Sequence, residues 1–376
     1  MTELKGKDRI LLCGPQTSAV GGGPTHMRNM LSSSLSERYD LVHFEVGSRG
    51  RESPASEERL IAQIMRLVWS PVLLIWRIIR LRPALVHLNT SLNHKSFWRD
   101  FGYLVICKLL RRKVIVQIHG GSLVRFCQSS KFLQTVSSFA FSAADAVVVL
   151  SSLEKRNFEK ISNLKKLAVI PNAVEIKEYY QVSPRKHSGK VRRLTYLGRL
   201  TREKGLFEAV AAMRIIAADS DLDEMEFIIA GSGPVQAALE TRIEEMELGA
   251  RVKLIGPLFG SDKVRFLQQS DVFVFPSYHE GLPYSILESL AAGTPVIATN
   301  VGGIPDAVVH GIHGLLIAPQ DPAQIADAIR KLASNGNLVQ MMSKNCLSWS
   351  QERFGLERLA KDFHDLYRLI ARDKYQ

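Results

Sequence analysis

Residues Asp271 to Ala298 read DVFVFPSYHEGLPYSILESLAAGTPVIA, and no other stretch constrains the fold as tightly. Val272 to Phe275 is β-branched and aromatic without polar interruption, the pattern of a short strand buried on both faces. The loop Pro276-Ser277-Tyr278-His279 and then Glu280-Gly281-Leu282-Pro283 lead into a helix carrying Glu288. Pro283 is expected in the first helical turn, where a missing N–H costs nothing. Gly293-Thr294-Pro295 ends the helix, and Val296-Ile297-Ala298 begins another strand. Strand, loop, helix and strand form a βαβ unit, and such sheets bind ligands outside the carboxyl ends of their strands. Glu280 on the loop and Glu288 on the helix therefore border one crevice. The helix start beside them offers free N–H groups to a phosphate.

The same alternation runs through the chain. Strands are predicted at Arg9–Cys13, Leu41–Val46, Leu85–Asn89, Lys113–His119 and Ala146–Leu150, and again at Arg193–Leu197, Glu226–Ala230, Val252–Ile255 and Gly314–Ile317. Strands separated by helical stretches imply an α/β fold with parallel sheets. Asp145 before AVVVL and Asp271 before VFVF repeat one design, which points to two similar doubly wound units. The polar, turn-rich segment Ser183–Lys190 marks a boundary between them. Within the apolar stretch Leu60–Leu81, Ser70-Pro71 is an N-cap and first-turn signal, so two helices are expected. The second places Leu73, Trp76 and Ile79 among Arg77, Arg80 and Arg82. That mixture fits a crossover helix covering the sheet, and also a helix resting at a lipid boundary. Gly47–Arg59, GSRGRESPASEER, reads as a mobile charged loop.

Polar groups collect at the predicted strand ends. Gly21-Gly22-Gly23 precedes a helix expected near Thr25 and would let the backbone approach a ligand closely. Asn89 and Thr90 end one strand, and His119 ends the next, before Gly120-Gly121. In the second half Arg199 and Lys204 share a loop before a helix starting near Leu206. Arginine grips phosphate oxygens with a two-pronged fork, whereas lysine supplies a mobile point charge. Gly231-Ser232-Gly233 is a second strand–glycine turn. Asp219, Asp221 and Asp223 have D-x-D spacing, but in an acidic loop before a strand they read as solvated surface, with no metal site.

The net charge of +12 favours an acidic partner, either anionic lipid or a phosphorylated substrate. Aromatic-interleaved nucleic-acid motifs are missing, so no nucleic-acid partner is expected. The four cysteines show no C-x-x-C spacing, which suits a reducing compartment. The start MTELKGKDRI lacks a signal-peptide core, and no run reaches the roughly 18 apolar residues of a membrane span. A cytoplasmic protein is expected, able to touch the inner face of the cell membrane.

The pair E-x7-E after VFPS, the run ESLAAGTPVIAT, the elements GRL and KG between Gly198 and Gly205, and VIPNAV at Val169–Val174 resemble the retaining glycosyltransferases of GT-B-fold family four. The resemblance covers most of the chain and is sharpest from Arg193 to Gly314. It implies two Rossmann-like, doubly wound domains facing each other across a cleft. Residues 1–174 would lie on the acceptor side and 175–353 on the nucleotide-sugar side, with a terminal helix, 354–376, crossing back to the first domain. The implied reaction moves a sugar from a UDP- or GDP-sugar to a hydroxyl of a glycan or lipid-linked glycan, without a metal or other cofactor. Glu288 would hold the ribose hydroxyls, Glu280 the transferred sugar, and Arg199 and Lys204 the diphosphate, with His119 against the reacting sugar. Gly22, Gly23, Gly231, Leu258, Gly281, Leu282, Pro283 and Tyr284 would complete the donor contacts; Asn89, Thr90 and His26 would meet the acceptor. Two other readings share these features. A sugar-nucleotide 2-epimerase of the same fold would consume donor without acceptor, and a non-catalytic polyanion- or membrane-binding member would have no use for the glutamates.

Overall fold

Short apolar runs punctuated by glycine become the strands, and they gather into two parallel sheets of six. The computed structural model describes residues 7–46, 60–121, 123–128, 130–161, 164–180 and 190–372. The charged segment Gly47–Arg59 and residues 183–189 of the polar linker lie outside them.

The first sheet contains β1 (Arg9–Gly14), β2 (Asp40–Glu45), β3 (Leu85–Thr90), β4 (Lys113–Ile118), β5 (Ala146–Val149) and β6 (Leu167–Val169), in the order β2-β1-β3-β4-β5-β6. The second contains β7 (Arg193–Leu197), β8 (Glu226–Ala230), β9 (Val252–Leu254), β10 (Val272–Phe275), β11 (Val296–Thr299) and β12 (Gly314–Ile317), in the order β12-β11-β10-β7-β8-β9. Helices cover both faces of a parallel sheet, which explains why strands such as β5 and β10 carry no polar alternation. In each sheet the strand order reverses once, between β1 and β3 and between β7 and β10. Loops leaving the carboxyl ends of those neighbours diverge and leave a crevice.

The repeated aspartate has one job in both sheets. An Asp145 carboxylate oxygen accepts the backbone N–H of Val114, 2.8 Å away, at the start of the neighbouring β4. Asp271 likewise accepts from Arg192 and Arg193 at the start of β7, both at 2.8 Å. Each carboxylate thus satisfies edge donors that the ladder leaves open.

The chain divides into two compact units, Met1–Ala173 with Leu356–Gln376, and Val174–Gly355. The helix Leu356–Arg372 belongs to the first unit although it is last in sequence. Phe363 and Tyr367 are buried in its core. Tyr367 hydroxyl meets Nδ1 of His87 at 2.8 Å, and Arg358 donates to the carbonyls of Pro171 and Asn172 at 2.9 Å. Gly355 separates this helix from the preceding one, Gly336–Phe354, so the last helix begins at Leu356 and not at Phe354.

Two local expectations are corrected. Leu60–Leu81 is one helix with Pro71 inside it, not two. Ser70 does not cap a new helix because its buried hydroxyl oxygen accepts the Tyr103 hydroxyl at 2.7 Å. The first helix, Gly22–Ser32, starts three residues before Thr25 and takes Gly22 and Gly23 into its opening turn. Of the three glycines only Gly21, at φ 137°, uses the left-handed freedom of the residue. Among the described residues, no helix is long and apolar enough to cross a membrane.

Candidate functional site

In the second unit the crevice lies between the loops that follow β7 and β10. Gly205, at φ 69°, ends a single 3-10 turn, Arg202–Lys204, and a Cβ there would overlap the carbonyl oxygen of Pro276. The two loops are also tied directly. The carbonyl of Glu203 accepts Tyr278 N–H at 2.7 Å and the Ser277 hydroxyl at 3.1 Å. Lys204 and Glu280 are thereby brought into an ion pair, with the ammonium 5.3 Å from the centre of the Phe275 ring. From the far side, Gly303 N–H donates to Gly281 carbonyl at 2.6 Å. Gly302, at φ 58°, leaves no room for a Cβ against the Glu280 carbonyl. The Glu280 loop is therefore clamped by backbone on both sides, and its side chain has little freedom to drift.

Glu288 is buried in the helix Tyr284–Ala291 and receives the ammonium of Lys263 at 2.5 Å. Lys263 was not singled out by the sequence; it arrives on the helix Gly260–Gln268, and no local spacing links it to Glu288. Burial raises the pKa of Tyr179 well above that of a free tyrosine, with the charge of Glu288 adding to it. Burial also raises Tyr196, with Glu280 contributing second; its hydroxyl donates to the Arg199 carbonyl at 2.9 Å. The Arg199 side chain is exposed and has no carboxylate at salt-bridge distance among the described residues.

The other expected donor positions surround this pair. Gly231 is held at φ 152°, where a Cβ would strike the Gly198 carbonyl oxygen, so the turns after β7 and β8 lie backbone against backbone. Leu258 is half-buried in the segment after β9. Pro283 stands at the N-cap with ψ 131° and not in the first turn, so Tyr284 opens the helix. The residue before the helix must leave the helical region, and a proline ring does so without strain.

The first unit builds a different cluster at the reversal between β1 and β3, next to β4. His119 follows β4, and its N–H donates to the Thr90 carbonyl at 2.9 Å. Asn89 Nδ2 donates to the Cys13 carbonyl at 3.2 Å, so Asn89 Oδ1 is left to accept from His119 Nε2 at 2.8 Å. The imidazole is thereby fixed as the neutral Nε2–H tautomer, with Nδ1 buried and unpartnered. Burial pushes the pKa of His119 down to about 3. Asn89 and Thr90, expected to meet an acceptor, are both buried in β3, and Asn89 serves to orient His119. His26 is closed off from solvent; its ring centroid is 4.3 Å from that of His119, and the Gln117 side chain is its polar neighbour. Gly22 and Gly23 stand at the opening turn of the helix beyond β1, which has no side-chain cap and no acidic residue in its first turn.

Asp219, from the D-x-D spacing, pairs with Arg330 at 2.7 Å. Among the described residues, no group of three or more histidine, cysteine or carboxylate side chains could hold a metal ion.

Two family models match the chain: Glycosyltransferase Family 4 over residues 20–178, and Glycosyl transferases group 1 over residues 181–349. The chain belongs to this glycosyltransferase family. A Bacillus subtilis protein, TuaC, named as a teichuronic acid biosynthesis glycosyltransferase, is 25% identical over 83% of this chain and 77% of its own length. An Escherichia coli protein named UDP-Gal:alpha-D-GlcNAc-diphosphoundecaprenol alpha-1,3-galactosyltransferase is 28% identical over 54% of each chain. The chain spans about half the length, or less, of most curated relatives it matches. The fold is that of the GT-B glycosyltransferases. Sucrose-phosphate synthase from Thermosynechococcus elongatus superposes with a TM-score of 0.79 at 21% identity, over 97% of this chain and 99% of that one. HepE from Anabaena, solved in complex with UDP-glucose, gives 0.74 at 16% identity, over 96% and 99%.

Proposed function

We propose that this family member transfers a sugar, with retention of anomeric configuration, from a nucleotide diphosphate sugar to a hydroxyl of a glycan or lipid-linked glycan. The observation that carries the reading is the Lys204–Glu280 pair, held at the strand-order reversal of the second sheet by Gly205 and Gly302, with Glu288 buried behind it. A cation and a carboxylate fixed side by side suit a ligand that presents phosphate next to sugar hydroxyls. Lys204 and the exposed Arg199 would take the diphosphate, Glu280 the hydroxyls of the transferred sugar, and Glu288 the ribose. In the reaction the bond from C1 to the diphosphate oxygen breaks and a bond from C1 to the acceptor oxygen forms. The acceptor proton passes to the departing phosphate, whose growing charge the two cations stabilise. No metal or other cofactor is required by this scheme. The neutral His119, oriented by Asn89, is assigned to the reacting sugar. A lipid-linked acceptor would be met by a cytoplasmic enzyme at an anionic membrane face, and the relative from Escherichia coli is named for a diphosphoundecaprenol substrate.

A thermal-shift series with UDP-, GDP- and ADP-sugars, with and without EDTA, tests the reading, because a ligand that binds only folded protein raises the melting temperature. The expected result is a shift with one donor class that survives EDTA and disappears in Glu288→Ala. Product formed with that donor should carry the donor's anomeric configuration by proton NMR. An EDTA-sensitive shift, an inverted product, or donor affinity unchanged in Glu288→Ala would overturn it.

A further inference from the structure

We infer that the outer face of one helix layer in the first unit is a docking surface for an anionic lipid bilayer. The layer comprises the helices Leu60–Leu81, His94–Leu109 and Lys131–Ala143. Their inner sides enter a single core cluster through Leu74 and Ile78, Leu104 and Cys107, and Leu133 and Phe141. Their outer sides therefore all turn away from the same face of the sheet. The helices are also neighbours. Tyr103 hydroxyl donates to Ser70 between the first two, and the Trp98 and Phe132 rings stack at 6.2 Å between the last two.

The outer side is unlike an ordinary protein surface. Trp69, Leu73, Trp76 and Ile79 make an exposed stripe on the first helix at helical spacing, opposite the buried Ser70, Leu74 and Ile78. Trp98 and Leu109 continue it on the second helix, and Phe132 and Phe139 on the third. These eight residues are between 40 and 77% exposed, and they include three of the four tryptophans in the chain. Contiguous apolar exposure on this scale marks an interaction site.

Charge decides what the partner is. Residues 60–144 contain twelve lysines and arginines and one acidic residue, Asp100, a net +11 of the +12 carried by the whole chain. Asp100 itself is buried and paired with Arg99 at 2.7 Å, so no carboxylate from this stretch faces outward. Arg80 lies over the Trp76 ring, 5.0 Å from its centre. Tryptophan side by side with arginine, with the nearby carboxylates of Asp100 and Asp145 buried in their own pairs with Arg99, Lys108 and Lys113, matches a bilayer interface: the ring enters the headgroup boundary and the guanidinium meets lipid phosphate. A second copy of this chain would bring the same positive charge against it, and like charges opposed across an interface are costly. The binding does not depend on the transferase reading, although it would deliver a lipid-linked acceptor.

The test is flotation of the full chain with vesicles of phosphatidylcholine alone and of phosphatidylcholine with phosphatidylglycerol. Binding is expected only to the anionic vesicles, weakening as salt rises, with quenching of tryptophan fluorescence by brominated lipid. Two near-surface arginines contribute about 1 kcal/mol each, so Arg77→Glu with Arg80→Glu should lower partitioning at least about tenfold. Trp76→Ser with Ile79→Ser should reduce the quenching, leaving only the part due to Trp69 and Trp98, while charge-driven binding survives in part. Circular dichroism and the donor-induced thermal shift must be unchanged in both variants, which separates loss of docking from loss of fold. Equal binding to neutral vesicles, no binding to either kind, or a dimer in solution that the same substitutions dissolve would overturn the inference. Vesicle binding without any donor shift would sink the transferase reading and leave this one standing.

Discussion

A carboxylate as enclosed as that of Glu288 is costly unless a cation reaches it, and Lys263 does so from a separate helix. Replacing Lys263 with methionine keeps the length of the side chain and removes the charge. The expected loss is on the order of 2 kcal/mol of stability, less than for a fully buried pair because the lysine is partly exposed. Lys263→Arg should recover most of it; equal melting temperatures for Lys263→Met and the parent would show that the pair contributes nothing. Gly302 is the second sensitive residue. Gly302→Ala adds a left-handed dihedral penalty of about 1–2 kcal/mol and forces the Glu280 carbonyl to move. Donor affinity should fall together with the melting temperature, whereas a lower melting temperature with unchanged affinity would mean that the loop does not set Glu280. The two glutamates were legible because strand, loop and helix of one βαβ unit fix them at short range. Lys263 was not, since its partnership depends on how two helices pack. The Asn89–His119 bond was hidden for the same reason: it joins the ends of two strands thirty residues apart.

Most strands are legible to within a residue or two at their ends, because an uninterrupted β-branched run bounded by glycine has few other ways to fold. The helix Leu60–Leu81 shows where such local reading stops. Ser-Pro is a sound start signal in isolation, but here a tertiary hydroxyl partner, Tyr103, occupies the serine, and packing of Leu74 and Ile78 carries the helix through the proline. An interior proline forfeits one backbone hydrogen bond and crowds the preceding turn. Pro71→Ala should therefore raise the melting temperature of the first unit, by up to about 3 kcal/mol of added stability. A decrease would show that the helix depends on the proline at that point. Gly21 to Gly23 teach a similar lesson at a smaller step, for only one of the three needs to be glycine by its dihedral angles, and the other two extend the helix backwards.

Across the molecule the buried histidines are unevenly shared. His26, His87 and His119 all lie in the first unit with pKa values lowered by burial, His87 and His119 to about 3. In the unfolded chain they titrate near 6.5, so below that value the unfolded state binds more protons than the folded one. Their contribution to stability is complete above about pH 6.5 and is lost progressively as the pH falls towards 3. At pH 5 each of His87 and His119 should cost the first unit about 2 kcal/mol relative to neutral pH. Calorimetry between pH 7.5 and about pH 5 should show an acid-dependent fall in its melting transition, and His26→Phe, which removes one of the buried titrating rings, should flatten that slope. A pH-independent transition would contradict the assignment.

The return of the last helix to the first unit has a consequence for how the chain comes off the ribosome. Residues 174–355 are continuous and can complete their core as soon as they emerge. The first unit, though made earlier, must wait with one face of its sheet only partly covered, by Met27, Met30 and Leu35, until Phe363 and Tyr367 arrive. During that interval its apolar surface is open to mispairing or to a chaperone, and a chain halted at Gly355 would hold that exposed state indefinitely. The order of synthesis and the order of completion are thus reversed, and the final seventeen-residue helix, Leu356–Arg372, acts as the closing step for the part of the protein that was begun first.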